Sequence, residues 1–173
     1  MQFTSSKIIA EFFAKDTLPP VIVCIGTDKV VGDSLGPTVG TLLTKCYCSP
    51  CFVYGTLDRP ITALNLTKTA NFIRYRHPRQ RVLAIDCAVG KASEVGNINL
   101  SSGGIKAGSG VGKNIPEIGD FSVTCVIAPK EKAHLLHEVQ PKAVFSLAVS
   151  VAKTVYDGIK DLAFIPYIND ITV

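Results

Sequence analysis

Two aspartates occupy positions where carboxyl groups could carry out hydrolysis. Asp33 lies in "GTDKVVGDSLGP", shortly after an apolar run, and Asp86 closes the apolar run "VLAID". Two carboxyl groups held close together cannot both ionise easily, so one keeps a proton as an acid while the other activates water as a base. Such a pair could hydrolyse a peptide without a metal, or hold a divalent cation if a third ligand were near.

Each aspartate also has a simpler structural explanation. Asp33 could cap a helix that begins near Ser34, and Asp86 could accept hydrogen bonds in a turn after its strand. Asp28 stands in the same loop as Asp33, but its neighbour Lys29 indicates a solvated position. The residue pattern alone therefore leaves structural and catalytic roles open.

A glycine-rich run, "AGSGVGKN" at 107–114, has the appearance of a phosphate-binding loop. A Walker A loop needs a glycine where this chain has Ala107, and a hydroxyl residue where it has Asn114. The dinucleotide-binding spacing G-x-G-x-x-G is absent as well, and the run lies far beyond the first strand. The glycines are therefore predicted to allow a tight turn or a close approach of the backbone to another group.

Alternating strand and helix patterns must position these residues. Buried strands are predicted at 21–26, 51–55 and 81–86, and extended pieces follow between 96 and 126. Apolar residues recur at helical spacing in 8–13, 39–46, 63–73, 130–139 and 144–155. The pair Pro19-Pro20 is predicted to end the first of these helices. This order predicts an α/β fold of three layers, with a mostly parallel sheet and some antiparallel strand near the middle. Ligands collect beyond the carboxyl ends of parallel strands, so Asp33 and Asp86 are expected to face one cleft.

Composition limits the remaining classes of function. The 173 residues are 47% hydrophobic and 18% charged, which predicts one compact domain over 1–173. No segment has the pattern of a signal peptide or a membrane span, so we expect a cytoplasmic protein without membrane contact. The net charge of +4 is too modest to indicate a nucleic-acid partner. Most of the cations of 68–81 are predicted to lie at a helix end, and a phosphate-binding patch there is the alternative.

Cysteines and histidines give weak indications of a metal. Cysteines in strand-like runs, among them Cys87, are predicted to be reduced and to pack as small apolar groups. "CYCSPC" at 46–51 offers three thiols without a fourth ligand, and is predicted to be a helix end with buried cysteines. His134 and His137 are predicted to be exposed on a helix. The sequence therefore predicts neither a metal nor another cofactor.

Three segments carry a family resemblance: "IGTDKVVGDSLGP", "AIDCAVG" and "IKAGSGVGKNIPEIG", in that order. They resemble the YyaC family of sporulation proteins of spore-forming Firmicutes over most of the chain. More distantly they are similar to the spore germination proteases, and the hydrogenase maturation endopeptidases share the phosphorylase/hydrolase-like fold that this resemblance implies. The maturation enzymes have a histidine metal ligand where this chain has Gly108-Ser109-Gly110, so nickel is not expected.

The resemblance implies a germination-protease-like domain with Asp33 and Asp86 as the catalytic pair. It also implies that backbone amides of the glycine run contact the substrate, at Gly108, Ser109, Gly110 and Gly112. The implied function is a sporulation-associated peptidase of the forespore or sporulating cell, acting on a protein such as a small acid-soluble spore protein. The alternatives are a catalytically inactive member that binds a protein partner or a cation, and a maturation factor of the hydrogenase type. Assembly into a homo-oligomer is left open.

Overall fold

A computed structural model describes residues 4–106 and 117–162, which form three layers. Helices cover both faces of a five-stranded sheet whose strand order is β2-β1-β3-β5-β4. The strands are β1 (Val21–Cys24), β2 (Val53–Tyr54), β3 (Val82–Gly90), β4 (Ile98–Ser102) and β5 (Phe121–Pro129). The helices are α1 (Ser5–Phe13), α2 (Leu35–Lys45), α3 (Leu66–Arg76) and α4 (Pro141–Ile159). The predicted α/β fold class is confirmed.

The sheet is parallel except at one edge. β1 pairs in parallel with both β2 and β3, and β3 pairs in parallel with β5. β4 is antiparallel to β5 and forms the opposite edge from β2. Central strands covered on both faces need apolar side chains on both faces, and all four residues of β1 are buried. The antiparallel strand predicted within 96–126 is therefore β4.

Successive side chains on each strand enter different cores. Ile22, Leu83 and Ile85 pack with α1, α2 and α4 on one face of the sheet. Val23 and Ala84 pack with α3 on the other face. This alternation follows from the two-residue period of a strand, and it continues past the core. Neighbouring residues of β3 therefore point towards opposite faces of the sheet.

The two central strands differ in length, and this corrects one sequence prediction. β1 ends at Cys24, which pairs with Ile85, whereas β3 continues for five further residues to Gly90. Asp86 was predicted to close its strand, but it lies inside β3. The strand continues because β5 keeps pairing with it, from Asp86 opposite Thr124 to Gly90 opposite Pro129.

Two helix predictions also need correction. α1 ends at Phe13, several residues before the proline pair that was predicted to end it. The segment predicted as a helix at 130–139 is a 3-10 stretch, Lys130–Glu138, interrupted by non-helical backbone at Lys132 and Leu135. α4 has the predicted buried stripe along 19 residues. Among the described residues, every helix is too short or too polar to cross a lipid bilayer.

Candidate active site

The loop after β1 brings Asp33 back to the end of that strand. Gly26 has a φ of 144°, which a residue with a side chain rarely adopts. A Cβ atom built on Gly26 would lie 2.1 Å from the backbone oxygen of Asp33. The Thr27 amide donates to that same oxygen at 3.1 Å, and a 3-10 turn at Gly32–Ser34 carries Asp33. A glycine at 26 therefore lets the loop close tightly enough to place Asp33 over β1.

Asp33, Asp86 and Cys87 meet beyond the end of β1. One ligand-type atom from each lies within 4.8 Å of the other two. The Cys87 thiol donates to Asp33 Oδ1 at 3.3 Å, and the Cys87 backbone amide donates to Asp86 Oδ1 at 2.8 Å. One residue of β3 thus contacts both carboxyl groups.

The environments of the two carboxyl groups differ. Burial, followed by the neighbouring charge of Asp33, raises the pKa of Asp86 to about 8, although the Cys87 amide opposes part of this rise. Burial also raises the pKa of Asp33 above its usual value, although hydrogen bonds from the Cys87 thiol and the Thr27 amide oppose part of this rise. The arrangement therefore favours the shared proton on Asp86 and the negative charge on Asp33.

Cys87 is a site residue that the sequence interpretation missed. It was predicted to pack as an apolar group, but it is half-buried and contacts Asp33. Burial and the two carboxyl groups raise the pKa of its thiol, so the sulfur keeps its proton and remains a donor. The local pattern offered no signal for this contact, because adjacent strand residues point to opposite faces and Cys87 was expected to face the core rather than Asp33.

The same three side chains are also a possible cation site. Two carboxylate oxygens and a sulfur are suitable donors for a divalent transition metal or zinc. In the described part of the chain, this is the group of histidine, cysteine and acidic side chains that could hold a metal ion. The third ligand required for a cation at the aspartate pair is thus Cys87.

The other candidates lie apart from this site. His134 and His137 are exposed, as predicted, although their segment is not a regular helix. Cys46 and Cys48 are exposed and Cys51 is buried, so the prediction that these three cysteines are buried was wrong for two of them.

Asp28 and two residues of the basic stretch follow their structural predictions, whereas Lys68 lies in the first turn of α3. Asp28 is exposed. Arg74 and Arg76 lie in the last turn of α3, as predicted for cations that complement a helix end. Arg81 instead pairs with Asp16 at 2.8 Å. The glycine run with Gly108, Ser109, Gly110 and Gly112 lies outside the described residues.

Comparisons with known proteins identify relatives of the chain. A family model described as "Protein of unknown function (DUF1256)" matches residues 1–157. The chain is 40% identical over 109 residues to "Uncharacterized protein YyaC" of Bacillus subtilis (strain 168), a match that covers 63% of this chain and 53% of that protein. It therefore spans about half the length of this curated relative, and the resemblance of the sequence motifs to YyaC is confirmed.

One solved structure aligns with most of the chain. The chain aligns with a [NiFe] hydrogenase maturation protease HycI from Thermococcus kodakarensis KOD1 with a TM-score of 0.48 and 17% sequence identity. The alignment covers 86% of this chain and 98% of that chain.

Proposed function

The chain belongs to the DUF1256 family. From the geometry of its site we propose that this member is a peptidase-like hydrolase whose aspartate pair activates water on a protein substrate. The observation that carries this proposal is the meeting of Asp33, Asp86 and Cys87 within 4.8 Å at the carboxyl end of β1. Two carboxyl groups whose environments push their pKa values apart are suited to act as an acid and a base. The raised pKa of Asp86, to about 8, supports this division of roles.

The proposed reaction assigns one proton transfer to each carboxyl group. Ionised Asp33 takes a proton from a water molecule while the water oxygen attacks the carbonyl carbon of the peptide bond. Protonated Asp86 gives its proton to the nitrogen of the leaving amine as the carbon–nitrogen bond breaks. The products are a carboxylic acid and an amine, and transfer of a proton from Asp33 to Asp86 restores the starting state.

The motif resemblance extends the proposal to a biological setting. We place the substrate among proteins of the sporulating cell or forespore, with the small acid-soluble spore proteins as the first to test. Backbone amides of Gly108, Ser109, Gly110 and Gly112 would contact an extended substrate chain or polarise its carbonyl group. These parts of the proposal rest on the sequence motifs and not on the geometry of the site.

A digest of small acid-soluble spore proteins, followed by mass spectrometry, tests the hydrolase. The purified chain is compared with Asp33→Asn and Asp86→Asn, and with Asp28→Asn as a matched control, because Asp28 is an exposed aspartate of the same loop. We expect defined fragments from the wild type and from Asp28→Asn, and at least a hundredfold slower cleavage by the other two. Intact protein in all four digests would contradict the proposal for this substrate, and equal cleavage by all four would contradict the assigned pair.

A second candidate function is cation binding without catalysis. The observation that favours it is the third donor, Cys87, beside the two carboxylates. Thermal unfolding with Zn²⁺ or Mn²⁺, against a chelator, measures binding because a ligand of the folded state raises its stability. A rise in Tm that Cys87→Ala abolishes and Cys46→Ala, at an exposed cysteine, retains would support a cation site. An unchanged Tm with either metal would oppose it.

A further inference from the structure

A cavity of about 610 Å³ lies between β2, the loop that follows it and the first half of α3. Tyr54 and Phe72 supply aromatic walls, with their ring centroids 6.0 Å apart. The Tyr54 hydroxyl is held by a 2.8 Å hydrogen bond to His77 Nε2, so this wall is fixed. Phe72 is 50% exposed, and it lines the cavity from α3. We name this space the β2–α3 cavity; its size suits several residues of a ligand chain.

The β2–α3 cavity lies on the same side of the sheet as the side chain of Asp86. Ile61 lines the cavity and forms a parallel bridge with Ile25, directly after β1. The Gly26 amide donates to the backbone oxygen of Ile61 at 2.8 Å, and the next amide, that of Thr27, donates to the backbone oxygen of Asp33. Neighbouring strands are about 4.8 Å apart, so β2 and β3 are separated by about 10 Å. Three extended residues span that distance.

The charge around the β2–α3 cavity is positive. Arg59 and Lys68 line it, are exposed, and have no acidic residue beside them among the described lining residues. The nearby Asp58 pairs with Lys45 at 2.9 Å, and the charge of Arg59 also lowers the pKa of Asp58. Counting Asp58 and Lys45, this region has three cations, Lys45, Arg59 and Lys68, and one anion, so its net charge stays positive. An apolar wall with cations at its rim favours a ligand that combines an apolar group with a negative charge.

We infer that the β2–α3 cavity is a substrate subsite that binds an extended polypeptide segment with an acidic side chain. The acidic group meets Arg59 and Lys68, while a neighbouring apolar side chain packs on Phe72 and Tyr54. The segment then crosses the end of β1, so that the bond about three residues away reaches Asp33 and Asp86. This inference rests on the proposed function, because it names the kind of peptide that the hydrolase would take.

Peptide binding tests the subsite separately from cleavage. The probe is a fluorescein-labelled heptapeptide of alternating alanine and valine with one central glutamate, and its twin carries glutamine instead. Fluorescence anisotropy gives the Kd of each peptide for the wild type, with mass spectrometry to show that the peptide is intact. The double variant Arg59→Gln/Lys68→Gln removes the two cations. The matched control is Arg79→Gln/Lys142→Gln, which removes two exposed cations from other surfaces.

The expected result is a selective loss of binding. At low ionic strength the wild type and the control should bind the glutamate peptide about tenfold more tightly than the glutamine twin, which is the scale of two exposed ion pairs. The Arg59→Gln/Lys68→Gln variant should bind both peptides equally. The preference should shrink in 0.5 M salt, since salt screens exposed charges.

Three results would overturn the inference: equal binding of both peptides by the wild type, equal loss in the control variant, or displacement by free glutamate or phosphate at the peptide's own concentration. The last would indicate a site for small anions. The experiment distinguishes failure of this inference from failure of the proposed function. Selective binding without cleavage of any peptide would support the subsite and contradict the hydrolase. Cleavage that depends on Asp86, without a preference for glutamate, would support the hydrolase and contradict the subsite.

Discussion

Replacing Asp86 with asparagine should stabilise the fold at neutral pH, although it removes a proposed catalytic group. The folded state holds a proton on Asp86 up to a pKa of about 8, whereas the unfolded chain releases it near the ordinary value of 3.8. Between these two values the folded state binds one more proton than the unfolded state. The free energy of unfolding therefore falls as pH rises, and this loss is complete above about pH 8. Asparagine has no proton to lose and is free of this penalty.

The magnitude follows from the separation of the two pKa values. Each pH unit between them changes the free energy of unfolding by about 1.4 kcal/mol. The wild type starts to lose free energy of unfolding at the ordinary pKa of 3.8. The loss has an upper limit of about 1.6 kcal/mol at pH 5 and of about 4 kcal/mol at pH 7. Asparagine keeps an oxygen that can accept the Cys87 amide, now at 2.8 Å from Asp86 Oδ1. Allowing for the partial exposure of Asp86, we expect Asp86→Asn to gain about 2–4 kcal/mol at pH 7.

Urea unfolding at pH 5, 6 and 7 measures this gain. The difference between Asp86→Asn and wild type should increase across the series, because only the wild type changes its protonation at this position. Asp28→Asn is the control, since Asp28 is exposed and should leave stability nearly constant at each pH. A variant that is less stable than wild type, or a gain that does not change with pH, would refute the reasoning that Asp86 is held protonated.

Three further predictions concern the same site. Turnover should show a bell-shaped dependence on pH. It should fall above about pH 8 as Asp86 loses its proton, and fall at low pH as Asp33 gains one. A pH–rate profile that does not fall at high pH would contradict the acid role of Asp86. Cys87→Ala should lower kcat about tenfold, because Asp33 loses its thiol donor. Cys87→Ser should keep most of the wild-type kcat, because a hydroxyl can donate in place of the thiol. Equal kcat values of the two variants would contradict a role for the thiol as a donor. Gly26→Ala should lower the Tm far more than Gly96→Ala in a thermal melt. Both glycines have a positive φ, but of the two only Gly26 would place a Cβ at 2.1 Å from a backbone oxygen. Similar losses of Tm would show that the positive φ alone sets the cost.

Much of the fold could be predicted from periodicity. β1 is apolar on both faces, which is typical of a central strand in a parallel sheet, and its four residues are buried. α4 has a helical stripe that includes Val144, Ala148 and Val151, and these side chains are in the core. The end of β3 could not be predicted in this way, because the strand continues for as long as β5 pairs with it. Pairing between distant segments is not visible in the local pattern.

The candidate site was only partly predictable for a similar reason. The rule that parallel strands end at one edge of the sheet brought Asp33 and Asp86 together, and the structure places them side by side. Cys87 was not predicted to be a site residue, because the sequence of an apolar strand does not show whether a charged group approaches its cysteine. Cys24 and Cys125 are two such residues, and both are buried in the core. The approach of Asp33 to Cys87 depends on the tight loop at Gly26. The path of that loop is visible only in the three-dimensional structure.

The unequal lengths of β1 and β3 explain why two chemically identical side chains can take different roles. Asp86 extends from β3 at a point where β1 has ended and only β5 still pairs with the strand, so Asp86 lies beyond the end of β1 with few donors beside it. Asp33 arrives on a loop and receives a thiol and an amide as hydrogen-bond donors, which favour its charged form. A proton shared between them therefore belongs on Asp86, and the negative charge belongs on Asp33. Cys87 donates to Asp33 through its thiol and to Asp86 through its backbone amide. A substitution of the Cys87 side chain therefore removes the donor of Asp33 alone, which changes the difference between the two aspartates without moving either strand.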